Sequence, residues 1–300
     1  MILSRTQSAA VAFRVVLGCL VVCMPAGSAL SQQPKAADAG AAPLPSIREL
    51  MLDVMDHQKK LEKVRENYTY NSSSVRQEID SSGNVTKTES EDSEVFYVNT
   101  HRIERTVKKN GKPLNDHEQQ KEQERITKLV EKAEKTPPGQ SIDGNNGPIS
   151  ITKLLDVMDT FNPRRVNFRG RSTIVFDFAG RRDAKTHGLA EDASKKVAGT
   201  LWVDEKDRQV ARMEAHFTDN FHVAGGFVAN VQKGSSFYFD QAQVNGEIWF
   251  PTGAEGHVEA RVLLVKGVRE HFTEREFDYK RFSVDAETSK TATVVTDPKK

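Results

Sequence analysis

Apolar positions from Ile47 onward, at Leu50, Met51, Val54, Leu61 and Val64, recur close to a helical period, and Ser46 with Glu49 three residues later forms a capping box. This predicts an amphipathic helix of about five turns. From Asn67 the texture changes to alternating polar and aromatic or β-branched residues through Asp80. Ser81-Ser82-Gly83-Asn84 then makes a turn into a second strand from Val85 to Val98, so a long hairpin is expected. His101 to Val107 continues as a strand, closed by the strong turn pair Asn110-Gly111. Asn115 and Glu118 open a charged helix through Glu134, whose narrow stripe of Ile126, Leu129, Val130 and Ala133 suits a helix lying on a surface. The Pro/Gly-rich stretches Thr136 to Gly139 and Asp143 to Pro148 read as a mobile loop. Ser150 is then expected to cap a short helix carrying Leu154, Leu155, Met158 and Phe161 on one side and ending at Asn162-Pro163.

The second half reads as a succession of strands. Ile174, Phe176 and Phe178 alternate with more polar neighbours, as do Leu201 and Val203, then Ala211, Met213, Ala215 and Phe217. Phe237 and Phe239 follow, then Ile248 and Phe250 after the Asn245-Gly246 turn, then Val258, Ala260, Val262 and Leu264. Period-two alternation this persistent predicts an antiparallel sheet with one apolar and one wet face. The few helices are the available cover for the apolar face. The fold class is mainly β (α+β), a curved antiparallel sheet with helices across its concave side, and the polar tail beyond Val284 is expected to fray.

Composition changes the picture at the N-terminus. Arg5 and Arg14 form a basic region, Val15 to Met24 a short apolar run, Pro25 breaks it, and Ala29-Leu30-Ser31 offers small residues for cleavage, so residues 1–31 read as an export signal. Gly27-Ser28-Ala29 is an alternative cut, and a retained anchor or a lipidated Cys19 are minority readings. The chain has 43 Lys+Arg against 42 Asp+Glu, and the leader holds two basic and no acidic residues. Near neutrality excludes a polyanion binder, so no nucleic acid is expected as partner. Both cysteines, Cys19 and Cys23, fall in the leader. The mature chain therefore has no thiol nucleophile, disulfide or cysteine-ligated zinc to draw on. Residues 32–45, rich in Ala, Pro and Gln, read as a flexible linker.

Candidate chemistry is sparse. His117-Glu118-Gln119-Gln120-Lys121 has Lys where a helical zinc motif needs its second His, so it reads as a solvated helix face. His216 and His222 lack a third spaced ligand, Gly225-Gly226 stands alone, and Glu89, Glu91, Asp92 and Glu94 alternate along a strand as solubilising charges. Trp202 and Trp249 sit on the opposite parity from the apolar series of their strands, consistent either with partial burial or with an exposed recognition face. Neither a nucleophilic triad nor a metal or cofactor site is expected, and no enzyme activity.

The run Gly199-Thr200-Leu201-Trp202-Val203-Asp204, a four-residue turn, and Gln209-Val210-Ala211-Arg212-Met213-Glu214 resembles the central hairpin of the periplasmic lipoprotein-carrier (LolA-like) family. Val244-Asn245-Gly246-Glu247-Ile248-Trp249-Phe250-Pro251 is similar to the next hairpin of its relatives. The resemblance implies an unclosed half-barrel over residues 46–284, with a helical insertion at 114–161 and a disordered tail at 285–300. It also implies a periplasmic, non-enzymatic carrier of lipid or lipoprotein acyl chains. The groove lining would include Phe176, Phe178, Leu201, Met213, Phe217, Phe237, Phe239 and Val262, and packing of these residues into a closed core is the alternative. A second reading is an envelope sensor or interaction module that docks a partner protein through helix 115–134.

Overall fold

The computed structural model describes residues 43–138, 140, 142, 151–223, 228–262, 266–283 and 293–295. The expected leader, most of the linker, most of the Pro/Gly loop with Ser150, and Gly225-Gly226 lie outside the described residues. Helix α1 (Ile47–Arg65) begins where its cap predicts. The Ser46 hydroxyl accepts from the Glu49 N–H at 3.2 Å and donates to the Glu49 carboxylate at 2.8 Å. Strands β1 (Tyr68–Ile79) and β2 (Val85–Val98) come next, joined by a turn in which the Asp80 carboxylate accepts from the N–H groups of Ser82 and Asn84, each at 2.8 Å. Strand β3 (His101–Lys109) turns through Asn110 and Gly111, at φ 50° and 73°, into the two-residue β4 (Lys112–Pro113). Both central residues need positive φ in such a turn, and Asn-Gly is the pair that tolerates it.

Helix α2 (Asp116–Lys135) has both halves of its capping box, with Asn115 Oδ1 accepting from the Glu118 N–H and the Glu118 carboxylate from the Asn115 N–H, each at 3.0 Å. Its narrow stripe is buried: Ile126 and Ala133 pack on Ile103, with Phe96, Val98, Leu129 and Val130 around them.

The expected helix ending at Asn162-Pro163 stops earlier. Helix α3 spans Ile151–Val157, and Met158–Phe168 is strand β5, paired with β6 (Arg171–Gly180) from Met158↔Gly180 to Phe168↔Arg171. The helical insertion therefore ends at Val157 rather than residue 161, and Phe161 is exposed. The helical spacing of Leu154, Met158 and Phe161 loses to strand pairing. Pro163 is tolerated because it falls in the register shift between Phe161 and Arg164 of an edge strand, where no ladder N–H is required. A short helix that the sequence does not signal, α4 (Leu189–Ser194), starts at Gly188 with no side-chain cap.

The remaining strands are β7 (Val197–Asp204), β8 (Gln209–Phe217), β9 (Phe221–Val223), β10 (Ala229–Val231), β11 (Ser236–Val244), β12 (Ile248–Val262), β13 (Lys266–Ser283) and β14 (Thr293–Val295). Strand β14 pairs with β13, so the expectation of a disordered tail from residue 285 fails for those three residues, whose backbone is held by Arg281, Phe282 and Ser283.

All the pairings are antiparallel and the sheet is not closed; its order is β4-β3-β2-β1-β13-β12-β11-β8-β7-β6-β5, with β9, β10 and β14 beside this path. This is an unclosed half-barrel. Strand β13 lies at its middle, joining β1 of the N-terminal hairpins to β12 of the C-terminal half. Helices α1, α3 and α4 share one face of the sheet, the inner face, with Leu50, Met51, Val54, Val157 and Ala193 in the same buried cluster as the strand residues. No helix among the described residues is long and apolar enough to cross a membrane.

Candidate functional site

Alternation along the strands of the second half sends one apolar residue in two to the inner face. Phe176, Phe178, Leu201, Met213, Phe217, Phe237 and Phe239 meet there in one cluster, each between 2% and 8% exposed. Val262 ends β12 opposite Ala229 of β10 and Lys266 of β13, and its side chain lies outside the description. The cluster continues into Ala215, Val231 and Ala254, and ends at Phe221, whose ring stacks on Phe217 at 6.2 Å.

The first turns of α1 cover it, with Leu50 and Val54 fully buried. Burial of this kind is worth about 25 cal/mol per Å² of apolar surface removed from water. The cover is one amphipathic helix and two short ones rather than a second sheet.

A second apolar group, not singled out from the sequence, lies under the last turns of the same helix. Tyr68, Tyr70, Val95, Ile248 and Phe250 are buried there, with Leu61 and Val64 of α1, Tyr97 and Tyr279 against them. The Phe250 ring lies 5.2 Å from Tyr68, 5.5 Å from Tyr70 and 5.3 Å from Tyr279. Aromatic rings at these separations add to simple area burial. The signal was present in the alternation of Tyr68 and Tyr70. The hydroxyls reach a polar rim: Tyr68 donates to Glu247 at 3.1 Å, and Tyr70 accepts from Arg102 at 3.0 Å. Burial is the main cause that pushes the Tyr68 hydroxyl pKa upward, helped by the nearby Glu247 carboxylate.

The outer face is polar and ordered. Asp204, 1% exposed, accepts from the N–H groups of Lys206 at 3.1 Å and Asp207 at 2.7 Å and pairs with Arg171. Asp207 takes a second bond from Arg171 at 2.6 Å and one from the Trp249 indole at 3.0 Å. Trp249 is thus buried with its N–H satisfied, and half-buried Trp202 packs its ring 6.3 Å from Phe168. Of the two readings of the tryptophans, burial is the one found.

At the β5 edge, burial acts to raise the pKa of Asp177, and hydrogen bonds from Asn162, Thr200 and Arg164 outweigh it, holding the carboxyl below the ordinary range. The carboxylates of β2 are paired: Glu89 with Lys87, Asp92 with Lys108 and Glu94 with Arg105. Glu118 caps α2 and His117 is exposed beside it; His216 and His222 are exposed. The one group of three metal-ligating side chains among the described residues is Glu255, His257 and His271, on the outer face.

No family model and no curated protein match the chain. Among solved structures, a DUF1329 family protein from Desulfovibrio piger aligns over 81% of this chain and 95% of its own, with 10% identity and a TM-score of 0.32. A provisionally assigned outer membrane lipoprotein-sorting protein domain from Vibrio parahaemolyticus aligns over 80% of this chain and 95% of its own, with 6% identity and a TM-score of 0.26. Likenesses this loose carry no argument about ligand or activity.

Proposed function

We propose that the chain is a non-enzymatic carrier or binder of lipid or lipoprotein acyl chains, working in the periplasm, with the inner face of the half-barrel as its groove and α1 as a displaceable cover. One observation carries this reading. The apolar face running from Phe176 to Phe239 is closed by a helix that contributes few side chains, chiefly Leu50, Met51 and Val54. The closed-core alternative has the same buried cluster, and the two differ in whether α1 leaves the face when an acyl chain is offered. An acyl chain that displaces α1 replaces its apolar contacts in kind, so the exchange leaves little inner-face surface exposed to water.

The docking reading through helix 115–134 has less to draw on, because the stripe of α2 is already buried against β2 and β3. Its remaining surface is charged and hydrated.

Protein recovered from the periplasm and weighed by native mass spectrometry is expected to carry acyl lipid, and a fluorescent fatty acid is expected to bind the delipidated chain. Replacing Phe239 by Asp places a charge in the lining and should abolish that binding, while the exposed substitution Val85→Asp leaves it intact. Absence of both co-purifying lipid and fatty-acid binding overturns the reading.

A further inference from the structure

At the middle of the sheet, the outer face brings His271 of one strand to Glu255 and His257 of the next. His257 of β12 is the direct cross-strand partner of His271 of β13, and Gln77 of β1 is the partner of His271 on its other side. Glu255 lies two residues before His257 and so shares its face. Ala254 and Ala260, on the opposite parity, are buried on the inner face. We propose that Glu255, His257 and His271 bind one divalent transition-metal ion of the zinc class, which ties β12 to β13 on the side of the sheet away from the acyl groove.

The distances fit one ion. Glu255 Oε1 lies 2.9 Å from His271 Nε2 and 3.4 Å from His257 Nε2, and the three ligand atoms are all within 4.8 Å of one another. With metal–nitrogen and metal–oxygen bonds of about 2.0–2.2 Å, tetrahedral ligands stand about 3.4 Å apart.

The surroundings of His271 supply a second, independent argument. Its Nδ1 lies 3.2 Å from Gln77 Oε1 while its Nε2 faces the Glu255 carboxylate, so both ring nitrogens meet acceptor oxygens. A neutral imidazole has a single N–H. With that hydrogen on Nδ1 and donated to Gln77, the Nε2 lone pair faces an anion, and an ion taken up there, with the Glu255 carboxylate opening from 2.9 Å to the tetrahedral separation of about 3.4 Å, satisfies both. An amide carbonyl that fixes the tautomer of a ligating histidine is the usual outer support of such a site. Among the described residues the ion pairs of Glu255 are with these two imidazoles alone, and Arg269, on the same face, is held by Glu259 at 2.9 Å.

The donor set selects the ion. Two imidazoles and one carboxylate suit zinc, nickel or copper, whereas calcium and magnesium prefer oxygen ligands throughout. A water would complete the coordination, reached from the solvent side through His257, whose side chain is 58% exposed.

The two rings are stacked, with centroids 4.3 Å apart and planes 3° from parallel. An ion lies in the plane of each imidazole that binds it, and two stacked planes cannot both contain one ion, so its capture requires one ring to turn about its Cβ–Cγ bond. Exposed His257 has room to do this, while His271 is kept in place by Gln77.

Calorimetric titration of the full, tag-free chain with zinc chloride tests the proposal. One equivalent is expected to bind, the ring NMR signals of His257 and His271 to move together, and excess zinc to raise the Tm. His257→Gln, His271→Gln and Glu255→Gln should each weaken binding at least tenfold, and Gln77→Leu by about 10–100-fold although it touches no ion. His222→Gln should change nothing. Because His257 is exposed, its variant is expected to keep the parent circular dichroism spectrum, so loss of zinc binding there cannot be assigned to misfolding. The proposal is overturned by a chain that takes up no zinc, which would leave a proton-shared carboxylate–imidazole cluster, or by stoichiometric binding that survives the double His257→Gln/His271→Gln variant. Fatty-acid binding measured on the same samples fails or succeeds independently of either outcome.

Discussion

Gly199 shows how little room the central hairpin leaves. A Cβ at this position would lie 2.0 Å from the Glu214 carbonyl oxygen, 2.7 Å from Cζ of Phe178 and 2.9 Å from the Ala215 Cα. Gly199 pairs with Phe178 on one side and Ala215 on the other, so any side chain here forces the β8 backbone away and crowds the Phe178 ring. Gly199→Ala is expected to cost about 1–3 kcal/mol, the usual range for overpacking, seen as a lower urea midpoint with an unchanged slope. A midpoint equal to the parent's would show that β7 and β8 can part without loss. The run Gly199 to Asp204 is shaped by packing at one end and by a turn at the other. Its glycine admits a close neighbour, and its aspartate ties off the following turn through the Lys206 and Asp207 N–H groups.

Between elements, the turn from β7 to β8 is fastened to β5 by Arg165 and Glu205. The guanidinium donates from Nε to Oε2 at 2.8 Å and from a terminal nitrogen to Oε1 at 2.6 Å, and Ser172 adds a bond at 2.7 Å. The Arg165 hydrogen bonds are the main reason that the Glu205 carboxyl is held below its ordinary pKa. A carboxyl depressed in the folded state takes up a proton on unfolding. Its stabilising effect is therefore complete above the unfolded value of about 4.3 and is lost as pH falls through the folded one. Arg165→Met is expected to lose less of its urea midpoint between pH 6 and pH 3 than the parent does; equal losses would contradict the pairing.

Legibility at this scale followed locality. Helices α1 and α2 and the β1–β2–β3 hairpins were readable because caps and turn residues lie within a few positions of what they control. The end of α3 was not, since the pairing that converts Met158–Phe161 to strand comes from β6, and α4 has no side-chain cap to announce it. Strand β13 was hidden by composition. Its inward positions include Glu270, Glu274 and Glu276 beside Phe272, so no apolar alternation marks it. For the same reason the His257–His271 pairing was invisible, being a property of register rather than of spacing.

For the whole molecule, an open sheet has an end that a closed barrel lacks. The apolar inner face was legible as a period-two series from Phe176 to Phe239. Its cover by helices was legible too, since they are the available cover for an apolar face; that α1, α3 and α4 share the task while α2 packs elsewhere was not, because nothing local says which surface each helix will meet. At one limit of the sheet stands β5, which among the described residues pairs with β6 alone and has no strand on its other flank. Asn162, at φ 53°, and Pro163 break its register there, and Arg164 and Arg165 come immediately after. A second molecule adding a strand at this flank would meet a bend and a missing N–H, beside two arginines already engaged by Asp177 and Glu205. Pro163→Val restores the donor and a strand-forming side chain, and is expected to shorten the lag before thioflavin-positive aggregates form on prolonged warming below the Tm. An unaltered lag would place the safeguard elsewhere. A shortened lag would mean that the Asn162-Pro163 pair, expected from sequence to end a helix, serves instead to keep an exposed β-edge from templating copies of itself.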